Sequence, residues 1–291
     1  MALLVACSSR AEQFAAHIRR AAPELDVRIA PDLGNPADID TALCWLPPRG
    51  LLATLPNMKL IVSVGAGVDA QLDDPTLPDV PLTRFVDPDL TGRMAEYIAL
   101  QVLYHQRRMT EYRVLQAERT WKYIPEAAAH EVRVGLMGLG VLGTAAAQVL
   151  KAVGYQVRSW SRTPKDLAGV TSFVGPEALE DFLAETDILA VILPLTADTR
   201  GLLNRDLIRK LSRRGRTPLL PGPVLINAGR GGLQIDADIL TALEAGDLYA
   251  ASLDVYQVEP LPAASQFWAH ARVVVTPPNA AESSPAAIAR Y

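Results

Sequence analysis

The chain has 291 residues, of which 49% are hydrophobic and 21% charged, with a formal net charge of −4. This length predicts about two domains, and the composition is that of a globular protein. The negative charge argues against a protein that binds nucleic acid. No apolar run approaches the roughly 18 residues that a membrane span needs. The amino terminus is apolar over only a few residues and lacks a basic leader, which predicts a first buried strand and not a signal peptide.

The chain has two cysteines, Cys7 and Cys44, and both lie in predicted strands. Neither belongs to a C-x-x-C motif, and the sequence has no histidine cluster. We therefore expect reduced thiols in a cytoplasmic protein, without a disulfide and without a metal site.

Short apolar runs fill the first hundred residues, separated in places by helical patterns such as Ala11–Ala22. The predicted strands are Leu3–Cys7, Val27–Ile29, Thr41–Leu46, Leu60–Val64 and Leu82–Phe85. This alternation is typical of βαβ units in a parallel sheet. A long helix is predicted from about Thr91 to Ala117, because apolar residues there recur near helical spacing.

The alternation resumes at Val132, where a further strand is predicted to begin. The strands predicted after it are Gln156–Trp160, Ile188–Leu193, Pro223–Asn227, Tyr249–Asp254 and Arg272–Thr276. A stretch rich in Arg, Gly and Pro, residues 213–223, predicts an exposed loop insertion. The chain is therefore predicted to be an α/β protein with two doubly wound parallel sheets.

The segment G-L-G-V-L-G follows the apolar strand that begins at Val132, and a helix is predicted over Thr144–Ala152. In a dinucleotide site, Gly138 allows the tight turn, Gly140 lets the backbone approach a pyrophosphate, and Gly143 lets helix and strand pack closely. The helix amino terminus offers N–H groups and a positive dipole end to the phosphates. This context favours a cofactor site over a plain turn. Its predicted residues are Gly138, Leu139, Gly140, Val141, Leu142 and Gly143.

The residues after the next strand indicate which dinucleotide is bound. An NAD site usually has Asp or Glu there for the ribose 2′-hydroxyl, whereas an NADP site has an arginine for the 2′-phosphate. This chain has no carboxylate at that place, and a guanidinium can hold a phosphate with two parallel hydrogen bonds. NADPH is therefore favoured over NADH, with a solvated basic loop as the alternative. The residues assigned to the phosphate are Ser161, Arg162, Thr163 and Lys165.

Ligands in open α/β sheets bind beyond the carboxyl ends of the strands. A turn with few side chains, Gly65–Asp69, exposes backbone N–H groups that can hold a carboxylate, although a plain tight turn is the alternative. Arg230 stands between glycines and can bind a keto acid through its fork of donors, or it is a surface arginine. Glu259 can orient a catalytic base. The residues predicted to border the cofactor are Leu193, Pro194, Ala228, Gly229 and Asp254.

Five ordered motifs, V-G-A-G-V-D, G-L-G-V-L-G, I-N-A-G-R-G-G, D-V-Y-Q-V-E-P and V-T-P, resemble those of the D-isomer-specific 2-hydroxyacid dehydrogenases. The segment W-S-R-T-P-K, together with Trp45 and Arg84, is similar to the glyoxylate/hydroxypyruvate reductase A branch. The resemblance implies a nucleotide domain, residues 99–279, inserted into a flavodoxin-like substrate domain, residues 1–98 and 280–291. It further implies an active site in the cleft between the domains, and homodimers formed through the nucleotide domain.

The resemblance also implies a reaction, the NADPH-dependent reduction of glyoxylate or hydroxypyruvate to a D-2-hydroxy acid, and roles for individual residues. Arg230 binds and polarises the substrate, and the N–H groups of Ala66 and Gly67 hold its carboxylate. Glu259 partners a catalytic histidine. Trp45 and Arg84 line the substrate side.

One departure concerns the proton donor. The family pattern is T-P-H-x-A-A, whereas this chain has T-P-P-N-A-A over residues 276–281. Pro278 thus stands at the position of the expected catalytic histidine, and neither proline nor an asparagine amide delivers a proton near neutral pH. No histidine is predicted to replace it, because each lies in a helix or near the amino end of a strand: His17, His105, His130 and His270. Losing a general acid costs on the order of 10²–10⁴-fold in rate, so we expect impaired reduction.

Two function classes remain. The first is an NAD(P)-dependent 2-hydroxyacid dehydrogenase with weakened activity. The second is a catalytically silent NADPH-binding sensor or interaction protein. Arg230 and Glu259 favour the enzyme, since a binding module needs neither. Family members usually continue into a further helix, so we expect either a naturally short protein or a sequence without that helix.

Overall fold

The computed structural model of the protein describes residues 2–290. The chain divides into two compact units: unit 1 holds the described residues up to Leu90 and from Glu282 onward, and unit 2 is Thr91–Ala281. The sequence predicted domain boundaries after residues 98 and 279. Within residues 2–290, no helix is both long and apolar enough to cross a bilayer.

The elements of the first part of the chain, as far as residue 117, comprise five strands and four helices. The strands are β1 (Ala2–Cys7), β2 (Asp26–Ile29), β3 (Ile39–Trp45), β4 (Leu60–Ser63) and β5 (Leu82–Arg84). The helices are α1 (Ala11–Ala21), α2 (Asp69–Leu72), α3 (Pro88–Gln106) and α4 (Met109–Ala117).

The elements of the second part continue the alternation. The strands are β6 (Arg133–Met137), β7 (Gln156–Ser161), β8 (Thr171–Val174), β9 (Ile188–Val191), β10 (Val224–Asn227), β11 (Ala250–Leu253) and β12 (Val273–Val275). The helices are α5 (Val141–Val153), α6 (Leu179–Ala184), α7 (Arg205–Ile208), α8 (Asp236–Ala245) and α9 (Pro285–Ile288).

The sheet of unit 1 is parallel, with strand order β2-β1-β3-β4-β5. This is the flavodoxin-like order. Successive side chains of a strand point to opposite faces, and β1 illustrates this: Leu4 packs in one apolar cluster with Ile61, whereas Val5 packs in another with Phe14 of α1. Both faces of the sheet are therefore covered.

The sheet of unit 2 is also parallel, with strand order β12-β11-β10-β9-β6-β7-β8. It contains the Rossmann order with one additional strand, and the direction of winding reverses between β6 and β9. The central strands are buried throughout, as a sheet covered by helices on both faces requires. The predicted fold class, two doubly wound parallel sheets, is confirmed.

The predicted helix over Thr91–Ala117 is wrong in one respect, because two helices, α3 and α4, occupy this stretch. Arg108 interrupts it with a φ of 57°, in the left-handed region, where the helical hydrogen-bond ladder ends. Its side chain donates to Glu111 at 2.5 Å and lies 6.0 Å from the ring centre of Tyr249. Helix α5 also begins earlier than predicted, directly after Gly140.

The amino-terminal edge of the unit 2 sheet contains a buried ion pair. Two nitrogens of Arg133 donate to the Asp187 carboxylate, at 2.9 and 2.6 Å, and the Ser212 hydroxyl donates to the same carboxylate at 2.6 Å. The side chains of Arg133 and Asp187 are 8% and 0% exposed. Ser212 directly precedes residues 213–223, which form no helix or strand, as predicted for a loop insertion.

Candidate functional site

The turn between β6 and α5 has the geometry that its three glycines predict. Gly138 has a φ of +103°, and a Cβ on Gly143 would lie 2.0 Å from the Gly138 carbonyl oxygen. A Cβ on Gly140 would meet nothing within 4 Å. Gly138 and Gly143 are therefore required by the fold, whereas the space at Gly140 is open to a ligand. Since the first N–H groups of a helix have no partner within it, these residues fit a pyrophosphate.

The basic loop follows Ser161, the last residue of β7, whose hydroxyl donates to the Thr163 carbonyl at 2.7 Å. The side chains of Arg162 and Lys165 are exposed, and neither forms an ion pair within residues 2–290. Two cations without an internal carboxylate partner fit the extra phosphate of NADPH. The loop contains no carboxylate before Asp166, so the position at which an NAD site usually has an acid for the ribose 2′-hydroxyl lacks one.

The loop that carries Arg230 is fixed by backbone contacts. The Asn227 side chain donates to the Arg230 carbonyl at 3.2 Å and accepts from the Gly229 N–H at 3.1 Å. A Cβ on Gly229 would lie 2.8 Å from the Leu193 carbonyl oxygen, and one on Gly231 would lie 1.7 Å from the Tyr256 carbonyl oxygen. The loop after β10 is thus held closely between Leu193, which follows β9, and Tyr256, which follows β11.

Glu259 contacts the backbone of the same Tyr256. Its Oε1 accepts from the Tyr256 N–H at 2.9 Å, and the Tyr256 carbonyl contacts the residue after Arg230. The backbone of Tyr256 therefore contacts both Glu259 and the loop that carries Arg230.

Asp254 holds the segment that contains Pro278. Its carboxylate accepts from the Thr276 hydroxyl at 2.7 Å, from the Asn279 N–H at 3.1 Å and from the Ala280 N–H at 3.0 Å. Burial raises the pKa of Asp254, and these hydrogen bonds oppose the shift. The cofactor role of Asp254 stays a prediction, and the structure shows this residue as the anchor of residues 276–280. The Pro278 ring is exposed.

The predicted substrate residues of unit 1 also lie close to one another. The Trp45 ring covers Gly65, where a Cβ would lie 2.3 Å from a ring carbon. The Arg84 guanidinium donates to the Ala66 carbonyl at 3.1 Å. The buried Ser63 hydroxyl donates to the Gly67 carbonyl at 2.8 Å.

Ser63 also accepts from the N–H of Gly65 at 3.3 Å. The Gly65 N–H is therefore already bonded within the turn. The predicted carboxylate contacts are those of the next two N–H groups, of Ala66 and Gly67.

The histidines occupy the places expected from the sequence. His105 in α3 is buried, and its Nε2 lies 2.7 Å from the Ser252 hydroxyl in the middle of β11. Burial lowers the pKa of His105 to about 4. His270 lies three residues before the start of β12, and burial lowers its pKa as well. The exposed His130 precedes β6, and His17 bonds within α1.

Sequence reasoning missed three residues that organise these sites: Ser63, Asn227 and Tyr256. Ser63 and Asn227 are polar residues at the carboxyl ends of apolar strands, a signal of a buried side chain that needs a partner. No comparable signal marks Tyr256, whose role depends on residues far away in the chain.

Comparisons with known proteins agree with this architecture. The model of the D-isomer specific 2-hydroxyacid dehydrogenase NAD-binding domain matches residues 99–280. A glyoxylate/hydroxypyruvate reductase A from Serratia proteamaculans is 41% identical over 283 residues, 95% of this chain and 88% of that protein.

Solved structures give the same result. An NADPH-dependent glyoxylate/hydroxypyruvate reductase from Sinorhizobium meliloti, in complex with NADP and sulfate, matches with a TM-score of 0.93 at 42% identity. A D-isomer specific 2-hydroxyacid dehydrogenase from Xanthobacter autotrophicus, in complex with NADPH and MES, matches with a TM-score of 0.91 at 42% identity. Each match covers 99% of this chain and 91% of the other. The chain belongs to the D-isomer specific 2-hydroxyacid dehydrogenases, a family of oxidoreductases, as the sequence predicted.

Proposed function

We propose that this protein uses NADPH to reduce small 2-keto acids, glyoxylate and hydroxypyruvate among them, to D-2-hydroxy acids. We further propose that Pro278 slows this reaction. The observation that carries the proposal is the packing around Tyr256, because its backbone contacts both Gly231, directly after Arg230, and the Glu259 carboxylate at the carboxyl edge of the sheet. A protein that only bound the cofactor would need neither side chain.

The cofactor proposal is supported by the glycine turn and the basic loop. The space at Gly140 suits a pyrophosphate. Arg162 and Lys165 suit the 2′-phosphate that distinguishes NADPH from NADH. Relatives at 42% identity bind NADPH or NADP.

In the proposed mechanism, the chain binds and polarises the keto acid. When bound, NADPH supplies the hydride. The Ala66 and Gly67 N–H groups hold the substrate carboxylate, and Trp45 and Arg84 line its side. The Arg230 guanidinium stabilises the negative charge that develops on the substrate oxygen. Since no imidazole stands at residue 278, the proton that neutralises this oxygen comes from water or from Glu259.

Restoring the histidine tests the mechanism. We expect kcat of Pro278→His for glyoxylate or hydroxypyruvate to exceed that of the parent by on the order of 10²–10⁴-fold. The gain should come without refolding of the site, because Asp254 already holds the Thr276 side chain before Pro278 and the Asn279 backbone after it. The measurement is steady-state NADPH consumption. Agreement of the two proteins within about threefold would show that no imidazole is needed, and the mechanism would be wrong.

Asn279→His is the matched control. It adds an imidazole at the neighbouring exposed position and keeps the backbone N–H that donates to the Asp254 carboxylate, so we expect no gain in kcat.

The exposed Pro278 also favours a second candidate function, a catalytically silent NADPH-binding sensor. Binding of NADPH without turnover of glyoxylate, hydroxypyruvate or pyruvate, by parent and Pro278→His alike, would favour the sensor.

We also infer a cytoplasmic homodimer. The two free thiols, Cys7 and Cys44, agree with a reducing compartment. Unit 2 exposes large apolar side chains of the kind found at interfaces, notably Leu100, Trp121 and Tyr123. Light scattering reports the mass in solution, and a monomer at micromolar concentration would contradict the dimer.

A further inference from the structure

Tyr256 contacts three segments of unit 2 that carry the predicted reaction. Its N–H donates to Glu259 at 2.9 Å. Its carbonyl lies where a side chain on Gly231 would stand, directly after Arg230. Its hydroxyl lies 2.6 Å from the Leu253 carbonyl and 3.0 Å from the Thr276 carbonyl, so the hydroxyl hydrogen is shared between two acceptors.

The side chain of Tyr256 is held rigidly in this position. It is 5% exposed, and its ring packs against Phe267 with ring centres 6.4 Å apart. Burial raises the pKa of Tyr256, so the hydroxyl stays protonated and remains a donor. A buried donor of this kind is costly to leave unpaired. The tyrosine therefore ties its two carbonyl partners to a fixed point.

The Thr276 carbonyl matters because of the residues that follow it. Pro277 and Pro278 have no N–H and cannot be held by donating hydrogen bonds. Their position depends on anchors before and after them. Asp254 accepts from Asn279 and Ala280 on the far side. On the near side, the Tyr256 hydroxyl donates to the Thr276 carbonyl. The Thr276 hydroxyl donates to Asp254 and lies 3.0 Å from the Tyr97 hydroxyl.

We propose that Tyr256 is a positioning residue that holds Arg230, Glu259 and the segment 276–280 in one fixed arrangement, with its hydroxyl as the link to that segment. The role goes beyond what the sequence motifs assign to this position and rests on the proposed function. It follows from the contacts that a single tyrosine makes with all three segments.

Tyr256→Phe tests the proposal because it removes the hydroxyl and keeps the ring and the backbone contacts. Tyr155→Phe is the matched control. Tyr155 lies in the same unit, is also 5% exposed, and its hydroxyl donates to Gln106, away from the three segments. A general loss of stability affects both variants, whereas loss of positioning affects only Tyr256→Phe.

Two readouts separate positioning from stability. In Tyr256→Phe we expect kcat to fall on the order of tenfold, with KM for NADPH within about twofold of the parent, because misplaced catalytic groups reduce the chemical step. We also expect the Asn279 and Ala280 amides to exchange hydrogen about tenfold faster, with the amides of β10 unchanged. Tyr155→Phe should show neither effect. Where the parent turns over too slowly, Pro278→His serves as the background.

The outcomes distinguish this proposal from the proposed function. Unchanged exchange at Asn279 and Ala280 overturns the positioning role whatever the activity. Faster exchange with unchanged kcat also overturns it, since the segment would then move without consequence. Absence of turnover in both the parent and Pro278→His overturns the proposed reaction instead, and the exchange data still report whether Tyr256 holds the segment.

Discussion

The arginines at the two edges of the unit 2 sheet are held in different ways. At the amino-terminal edge, the Arg133 guanidinium is buried and bonded to Asp187. At the carboxyl-terminal edge, Arg162 is exposed, and the Arg230 side chain is half-buried on a loop fixed through its backbone. The first arrangement neutralises the cation inside the protein. The second keeps cations at the edge where ligands of open α/β sheets bind.

This difference separates stability from function within one sheet. A buried ion pair mostly penalises the loss of either partner, because the remaining charge is then uncompensated. An exposed cation contributes little to folding. The same residue type therefore has opposite consequences at the two edges when it is replaced, and each edge can be tested by itself.

The largest effect is expected at the amino-terminal edge. Arg133→Met leaves the Asp187 carboxylate buried with Ser212 as its remaining side-chain donor. We expect the free energy of unfolding to fall by about 3–5 kcal/mol, measured by urea denaturation, with NADPH affinity of the folded protein unchanged. Adding Asp187→Leu should recover much of the loss, because the uncompensated charge is then removed. A loss below about 1 kcal/mol in the single variant would contradict the assigned role.

The next largest effect is expected from His105, a buried side chain whose protonation links stability to pH. His105 contacts Ser252, and its ring meets Tyr104 edge-on at 5.4 Å. Its pKa is about 4 in the folded protein, because burial disfavours the charged form, against an ordinary 6.5. Above pH 6.5 both states are neutral. As pH falls from 6.5 to about 4, the unfolded chain binds a proton that the folded protein does not, so stability is lost.

The loss at His105 amounts to about 3 kcal/mol, and it should be absent in His105→Gln. Comparing urea unfolding of the two proteins between pH 7 and pH 4 isolates this group from the carboxylates, which titrate in both. If the free energy of unfolding changes equally with pH in the two proteins, the pKa of His105 is not lowered in the folded state, and the prediction is wrong.

The sequence predicted the parts of the molecule that depend on local pattern. The turn at Gly138–Gly143 and the parallel strands follow from glycine spacing and apolar runs, and the structure has them. β8 was not predicted, because Thr171–Val174 is short, half-exposed and weakly patterned at the edge of the sheet. The break between α3 and α4 was also missed. It depends on the left-handed Arg108, whose side chain contacts Tyr249 from a distant part of the chain.

The candidate site was predicted as a list of residues, but its connections were not. Arg230 and Glu259 stand in separate motifs, and only the fold places Tyr256 between them. The anchoring of the segment 276–280 by Asp254 is likewise a tertiary contact between the ends of β11 and β12. Composition and spacing carry no information about such contacts, because a carboxylate in a loop is usually solvated.

The smallest effect is expected at the carboxyl-terminal edge. Arg162→Ala removes a proposed phosphate donor that has no ion-pair partner within residues 2–290. We expect the Kd for NADPH to rise by roughly 10- to 30-fold, the equivalent of about 1.5–2 kcal/mol for a charge-assisted hydrogen bond. The Kd for NADH should stay within about twofold, and the thermal unfolding midpoint should not move.

Arg216→Ala is the matched control for Arg162→Ala, because it removes an exposed cation from the loop 213–223 of the same unit. It should change neither Kd nor stability. Equal weakening of NADPH and NADH by Arg162→Ala would mean that the side chain does not meet the 2′-phosphate. A fall in unfolding temperature comparable to that of Arg133→Met would instead remove the distinction between the two edges, since both arginines would then act through the fold.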